Sequence, residues 1–236
     1  MPNKTNILGI IPARAGSKRI KGKNKVKLAG KELVRYAIEA ALSSKLLTKI
    51  VVSSDDEDIL NITDTYENII ALRRPDEISG DKAPAITYVH HALENLEASF
   101  DYIVIVQPSS PFTLGEDIDH TIRLLLDSEQ ADSSVSIMKL DHAIHPVKLK
   151  VLEDKKLNPF LEEENGRMAA HELPELYVRN CSVYVASLNN IKANKIIGEH
   201  CLGYVMPRER SLDINDPVDF AFAEFLMEKN RRTVIG

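Results

Sequence analysis

Residues 6–11, NILGII, form a short apolar run that passes directly into Pro12 and then a basic, glycine-containing loop, ARAGSKRIKGKN at 13–24. An apolar segment of that length, stopped by a proline and a polar loop, predicts a strand buried on both faces that opens an α/β fold. Because the loop follows the strand directly, it lies at the strand's carboxyl end. In open α/β sheets that is the edge where ligands bind.

The same rhythm continues downstream. The pattern predicts helices over 32–43, from about 54, and over 85–98, alternating with strands at 49–53 (KIVVS), 69–72 and 102–106 (YIVIV). The acids Asp55, Asp56 and Glu57 suit a helix N-terminus. Alternation of this kind, with strands too apolar to face water, predicts a mostly parallel sheet covered by helices on both faces. The loops after Ile11, Ser53, Leu72 and Val106 are then the ones to inspect for function.

From about 141 to 175 the rhythm breaks into a polar stretch with prolines at 146, 159 and 174. It reads as an excursion from the main sheet, a hairpin arm suited to dimer contact. The fold resumes with strands at 182–186 and 203–206 and a final amphipathic helix over 217–229. The whole chain, 1–236, is read as one domain, with the arm inserted at about 141–180.

A net charge of -5 opposes a general nucleic-acid binder, which needs a basic face to neutralise phosphates. The apolar run near the start is only about six residues long before an arginine, too short for a signal-peptide core or a membrane span. The expectation is a cytoplasmic protein without a membrane partner. The two cysteines, Cys181 and Cys201, form no CxxC pair and are expected to be buried thiols. The seven histidines are scattered, and no metal site is expected from them.

Within the first loop, Arg14, Ser17, Lys18, Arg19, Lys21, Lys23 and Asn24 surround Gly16 and Gly22. Backbone N–H groups and several cations can converge there on one polyphosphate. Arginine offers a bidentate fork and lysine a point charge, and glycine permits close approach and unusual dihedrals. The loop is neither a Walker A sequence nor a dinucleotide GxGxxG. Near the C-terminus, Asp213 and Asn215 stand two apart in SLDIND, so in extended chain both side chains face one way and can converge on a cation.

IPARAGSKRIKGKN resembles the opening loop of the acylneuraminate cytidylyltransferases, which make CMP-activated sialic and related nonulosonic acids. Further similar motifs follow in order: the GK of LAGKELVRYAIEAA, the SSD of VVSSDDEDI, the RP of ALRRPDEISGD, QPSSP, YVRN and RSLDINDPVDF. The resemblance implies a Rossmann-like nucleotidyltransferase fold, a homodimer built through the arm, CTP and an acidic nine-carbon sugar as substrates, Mg²⁺ as cofactor and pyrophosphate as second product. It also implies site residues. Ala13, Arg14, Ser17, Lys18, Lys23, Asn24, Arg74 and Ser109 fall on the nucleotide, and Gln107, Arg167, Asn180 and Tyr184 on the sugar. Asp213 and Asn215 fall on the metal, and Arg14, Lys23, Gln107 and Asp213 take part in transfer.

The chain departs from that family where Asn215 replaces a usual Asp, where Ala169-Ala170-His171 replaces Arg-Arg-Gln, and where Cys181 replaces a glycine. Arg167 or His171 is expected to take over the sugar carboxylate, and Asp216 and Asp219 either compensate for Asn215 or form the acidic first turn of the last helix. Two other readings follow from these departures: a CTP-binding protein without transfer activity, and CMP transfer to another acidic keto-sugar.

Overall fold

The computed structural model describes residues 5–161 and 173–235. In chain order, β1 (Ile7–Pro12) leads through a small hairpin, β2 (Lys27–Leu28) and β3 (Lys31–Glu32), into α1 (Leu33–Ser43). β4 (Lys49–Ser54), α2 (Glu57–Thr63), β5 (Ile70–Arg73), α3 (Ala85–Glu94) and β6 (Tyr102–Val106) continue the alternation. Then come α4 (Gly115–Leu126), β7 (Ser133–Lys139), the hairpin β8 (Lys150–Glu153) and β9 (Lys156–Pro159), β10 (Tyr177–Ser187), α5 (Leu188–Lys192), β11 (Cys201–Val205) and α6 (Pro217–Ile235).

Seven strands form one sheet in the order β11-β7-β10-β6-β1-β4-β5. All run the same way except β10, which pairs antiparallel with both β6 and β7. The period-two alternation of β1 explains the layering. Ile7 and Ile11 pack with Ile38 of α1 and Ile122 of α4 on one face. Leu8 and Ile10 pack with Val89 and Ala92 of α3 on the other. A third cluster, Leu28, Leu33, Phe112, Ile214 and Ala223, ties α6 and the segment before it to the β2–β3 hairpin.

The mostly parallel, two-faced sheet agrees with the sequence reading. Some details differ. The third helix ends at Glu94 instead of 98, the last helix runs on to Ile235, and α4, β7 and α5 are additional. The excursion begins as expected, but its base closes earlier than 180, where the Leu140 amide donates to the Leu176 carbonyl at 2.8 Å. Its β8–β9 hairpin turns at Asp154 and Lys155, both with positive φ, as a two-residue hairpin loop demands. Cys181 and Cys201 are free and only partly buried, unlike the buried thiols expected. Among the described residues no helix is long and apolar enough to cross a membrane.

Candidate active site

The chain leaves β1 at Pro12, and two adjoining cavities open there at the carboxyl edge of the sheet. The larger, about 420 Å³, is lined by the first loop together with Asp81, Gln107, Pro108, Ser109 and Asn215. The smaller, about 260 Å³, is bounded by Arg74, Ile78, Ala85 and Tyr88. Pro12, Arg14, Asp81 and Gln107 line both. Three of the loops singled out from the sequence, those after the first strand, after 72 and after 106, thus face one space.

The first loop is held by the fold and not by its own charges. The Ala15 amide donates to Asp55 Oδ1 at 2.8 Å, and Asn24 Nδ2 donates to the Arg14 carbonyl at 3.0 Å. Gly22 takes a left-handed φ of 62° and starts the 3-10 turn Lys23–Lys25, which only glycine accepts without strain. Gly16, expected to share that freedom, has ordinary φ and contributes openness instead: a Cβ there would meet only Arg14 Nη1, at 3.5 Å.

The cations divide by burial. Lys23 turns inward and donates to the Ile214 carbonyl at 2.9 Å. Burial pulls its pKa below the ordinary lysine value, Arg19 and Arg14 push the same way, and Asp213 opposes them. Arg14 and Lys18 instead meet a carboxylate that the sequence reading did not single out. Asp81 Oδ1 accepts from Arg14 Nη1 at 2.6 Å, and its Oδ2 lies 2.5 Å from Lys18 Nζ. Hydrogen bonds from Lys18 and then Arg14 hold the Asp81 carboxyl below the usual range. Two cations of the loop are here bridged by one carboxylate. Asp81 closes the ALRRPDEISGD stretch, of which the sequence reading used only the RP, and its position in the loop after β5 is a second signal that could have found it.

Ser17 and Ser109 line the larger cavity, and Gln107 lines both, its backbone N–H donating to the Ser182 carbonyl at 3.0 Å. Ala13 is placed differently. It is fully buried, and its amide and carbonyl are used by Ser53 and Ser54. Asn180 is also buried. Its Nδ2 donates to Ser211 Oγ at 3.0 Å and its Oδ1 accepts from Ser136 Oγ at 2.6 Å, so its amide braces the segment leading to Asp213. Tyr184 is half-buried on β10, its phenol pushed upward in pKa by burial and by the Cys181 thiol beside it. Cys181 itself has a φ of 58° inside the irregularity of β10 between Arg179 and Tyr184. Arg167 and Ala169-Ala170-His171 lie outside the described residues.

The SLDIND segment shows why its polar pair converges. Ile214 is buried in the third cluster, which sends Asp213 and Asn215 out together on the opposite side. Asn215 Nδ2 donates to Asp213 Oδ2 at 2.8 Å, and its Oδ1 accepts from Arg19 Nη2 at 3.1 Å. The reverse amide orientation would set oxygen against carboxylate and nitrogen against guanidinium, so this one is dictated by its neighbours. Asp213 Oδ1 is buried without a hydrogen-bond partner among the described residues. Asp216 and Asp219 take up the first turn of the last helix. Asp216 Oδ1 accepts from the Val218 and Asp219 amides, and Asp219 Oδ2 from the Asn215 and Asp216 amides, which makes them the cap of α6.

A family profile described as Cytidylyltransferase matches residues 8–193. The chain is 31% identical over 233 residues to N-acylneuraminate cytidylyltransferase of Escherichia coli, covering 98% of this chain and 54% of that one. It therefore spans about half the length of that relative. It is also 31% identical over 242 residues to CMP-N,N'-diacetyllegionaminic acid synthase of Legionella pneumophila, covering 97% and 99% of the two chains. Pseudaminic acid cytidylyltransferase of Campylobacter jejuni is 27% identical, with 96% and 98% covered. Among solved structures, a CMP:2-keto-3-deoxy-manno-octonic acid synthetase complexed with CTP superposes with a TM-score of 0.71 over 96% of this chain and all of that one, at 15% identity. At that identity the likeness is one of fold.

Proposed function

Because the chain belongs to the cytidylyltransferase family, we propose that it transfers CMP from CTP to a nonulosonic, sialic-type acid and releases pyrophosphate. The single observation that carries the reading is the cavity itself, in which Arg14, Lys18, Lys23 and Asn24 from one loop meet Gln107 and Asn215, the hydrogen-bond partner of Asp213. Such a site suits a polyphosphate with an acceptor beside it. The relatives named for sialic, legionaminic and pseudaminic acids supply the acceptor class.

In the reaction, the anomeric hydroxyl oxygen of the sugar forms a bond to the α-phosphorus. The bond from that phosphorus to the bridging oxygen of pyrophosphate breaks, and the hydroxyl proton leaves to solvent or a nearby base. The residues' work is alignment and neutralisation of charge. Arg14 and Lys18 exchange Asp81 for phosphate oxygens, and Lys23, already desolvated, gains a stronger partner in phosphate than in the Ile214 carbonyl. Gln107, in the wall of the larger cavity, is assigned to the junction of nucleotide and sugar.

The donor set fits a hard cation through one protein carboxylate. Asp213 Oδ1 is an acceptor left open, whereas Asn215 presents its NH₂ group and not its carbonyl. Asp213 would therefore hold Mg²⁺, an ion content with one carboxylate plus phosphate oxygens and water. Bound there, it would neutralise charge on the phosphates. Among the described residues no three His, Cys, Asp or Glu side chains gather as a metal cluster. Asn215 becomes the residue that fixes Asp213 against Arg19. We further read the chain as a cytoplasmic homodimer joined through its arm, a reading supported by the apolar side chains that the hairpin exposes.

A pyrophosphate-release assay with CTP, Mg²⁺ and a panel of nonulosonic acids tests the proposal and ranks the sugars. Release with at least one of them is expected, and Asp213→Ala should lose most of it while CTP still binds. CTP binding with no release for any sugar would favour a non-catalytic binder. That second reading gains its support from Asn215, which removes a negative charge where catalysis by metal needs one.

A further inference from the structure

Behind the smaller cavity lies an arginine that no carboxylate grips directly among the described residues. Arg74 is 4% exposed, and burial pulls its pKa down; Asp55 is near enough to act on it, but no carboxylate is hydrogen-bonded to it among the described residues. Its polar partners come from one residue, Ser53, whose Oγ accepts from Nε at 3.0 Å and whose carbonyl accepts from Nη2 at 2.9 Å. The guanidinium then lies over the ring of Tyr88, 4.7 Å from its centroid. A buried cation without a carboxylate stands at a cavity wall with its Nη1 edge unused by Ser53. That arrangement suits an acceptor-rich ligand edge.

We propose that Tyr88 is a positioning residue for base selection: its ring holds the Arg74 guanidinium so that this edge accepts cytosine and rejects uracil. The inference rests on the CTP reading of the larger cavity. Cytosine presents acceptors at both O2 and N3, which a guanidinium can satisfy together. Uracil replaces the N3 acceptor with an N–H, and donor then faces donor. Discrimination of that kind depends on the guanidinium plane being fixed, and Ser53 fixes only its Nε–Nη2 side. The ring face supplies the rest through a cation–π contact, which grows in strength when desolvated.

The proposal assigns the role to the ring of Tyr88 and not to its hydroxyl. That hydroxyl is buried without a hydrogen-bond partner among the described residues, and burial raises its pKa. The proposal therefore separates ring from hydroxyl. Tyr88→Phe keeps the face and should keep the selectivity. Tyr88→Met keeps most of the volume, loses the face and should lose it.

The test is equilibrium binding of CTP and of UTP to the full chain, without sugar, for wild type and both variants. Matched far-UV circular dichroism sets the temperature at which the variants are compared. Wild type and Tyr88→Phe are expected to favour CTP by at least tenfold, and Tyr88→Met to reduce that ratio by about tenfold, mainly by weakening CTP. A change that only loosened the fold would weaken both nucleotides alike and leave the ratio intact, which would overturn the proposal. So would a wild-type chain with no preference between the two. Because the readout is nucleotide preference, a chain that prefers CTP yet transfers nothing would count against the transferase reading and leave this inference standing.

Discussion

At the scale of single residues, Lys23 shows how burial turns a charge into a pH-dependent one. Its ammonium is desolvated and bonded only to a backbone carbonyl among the described contacts, with Arg14 and Arg19 adding repulsion. The protonated form is the one that can hold phosphate. Affinity for CTP is therefore fully present below the lowered pKa and is lost as pH rises through it, earlier than for an ordinary lysine. The kcat/KM profile for CTP should show an alkaline fall that reports the free enzyme. Lys23→Arg should move that fall beyond the accessible range, and Lys23→Ala should weaken CTP about tenfold at neutral pH, the size of a charge-assisted hydrogen bond of roughly 1.5 kcal/mol. An arginine variant with the wild-type alkaline limb would remove Lys23 from the role. Not every residue here could have been read from the chain. Lys23 announces itself through its loop, but Asp81 looks like a solvated acid and Tyr88 like an ordinary core aromatic until the fold sets each against an arginine.

At the scale of elements, α4 ties the fold together through one buried acid. Asp119, 5% exposed, takes the Ser44 hydroxyl at 2.5 Å and the Lys45 and Leu46 amides at 3.0–3.2 Å, closing the end of α1. Asp119→Ala would take away the charged acceptor that the Ser44 hydroxyl and both amides share, a loss of about 2–3 kcal/mol. In a chain of this size the thermal midpoint should drop by roughly 4–10 °C. Asp119→Asn, which keeps one acceptor, should lose less; equal stability of wild type and the alanine variant by thermal or urea unfolding would refute the capping role. The same region explains what was legible in the chain and what was not. β1, β4 and β6 read plainly because they are continuous apolar runs. β7 does not, since three of its four buried residues are serines, Ser133, Ser134 and Ser136, whose hydroxyls are satisfied by Asp132, the Thr121 carbonyl and Asn180. A strand that hides hydroxyls instead of methyls has no hydropathy signal, and with it the sheet's extension beyond β10 disappears from view.

At the scale of the molecule, the two-stranded hairpin poses the question of what covers it. Leu152 and Leu157 face each other across β8 and β9, 68% and 65% exposed, and Phe160 beyond them is 59% exposed. A two-stranded sheet standing apart from the main one is marginal in water, and large side chains left open on it favour a protein partner. A second copy of the chain is the occupant expected from the arm reading. The purified chain should then run as a dimer by light scattering at micromolar concentration. Leu152→Asp combined with Leu157→Asp would place two carboxylates where the interface must be dry, and should yield a monomer. The nucleotide cavity is built from residues 12–24, 81, 107–109 and 215, far from the hairpin in sequence and sharing none of its residues. CTP affinity of the double variant should therefore stay within about twofold of wild type, since nothing that lines the cavity has changed. A double variant that remains dimeric would move the interface elsewhere. One that turns monomeric and also loses CTP would show that the arm shapes the nucleotide cavity across the dimer, a coupling the single chain does not contain.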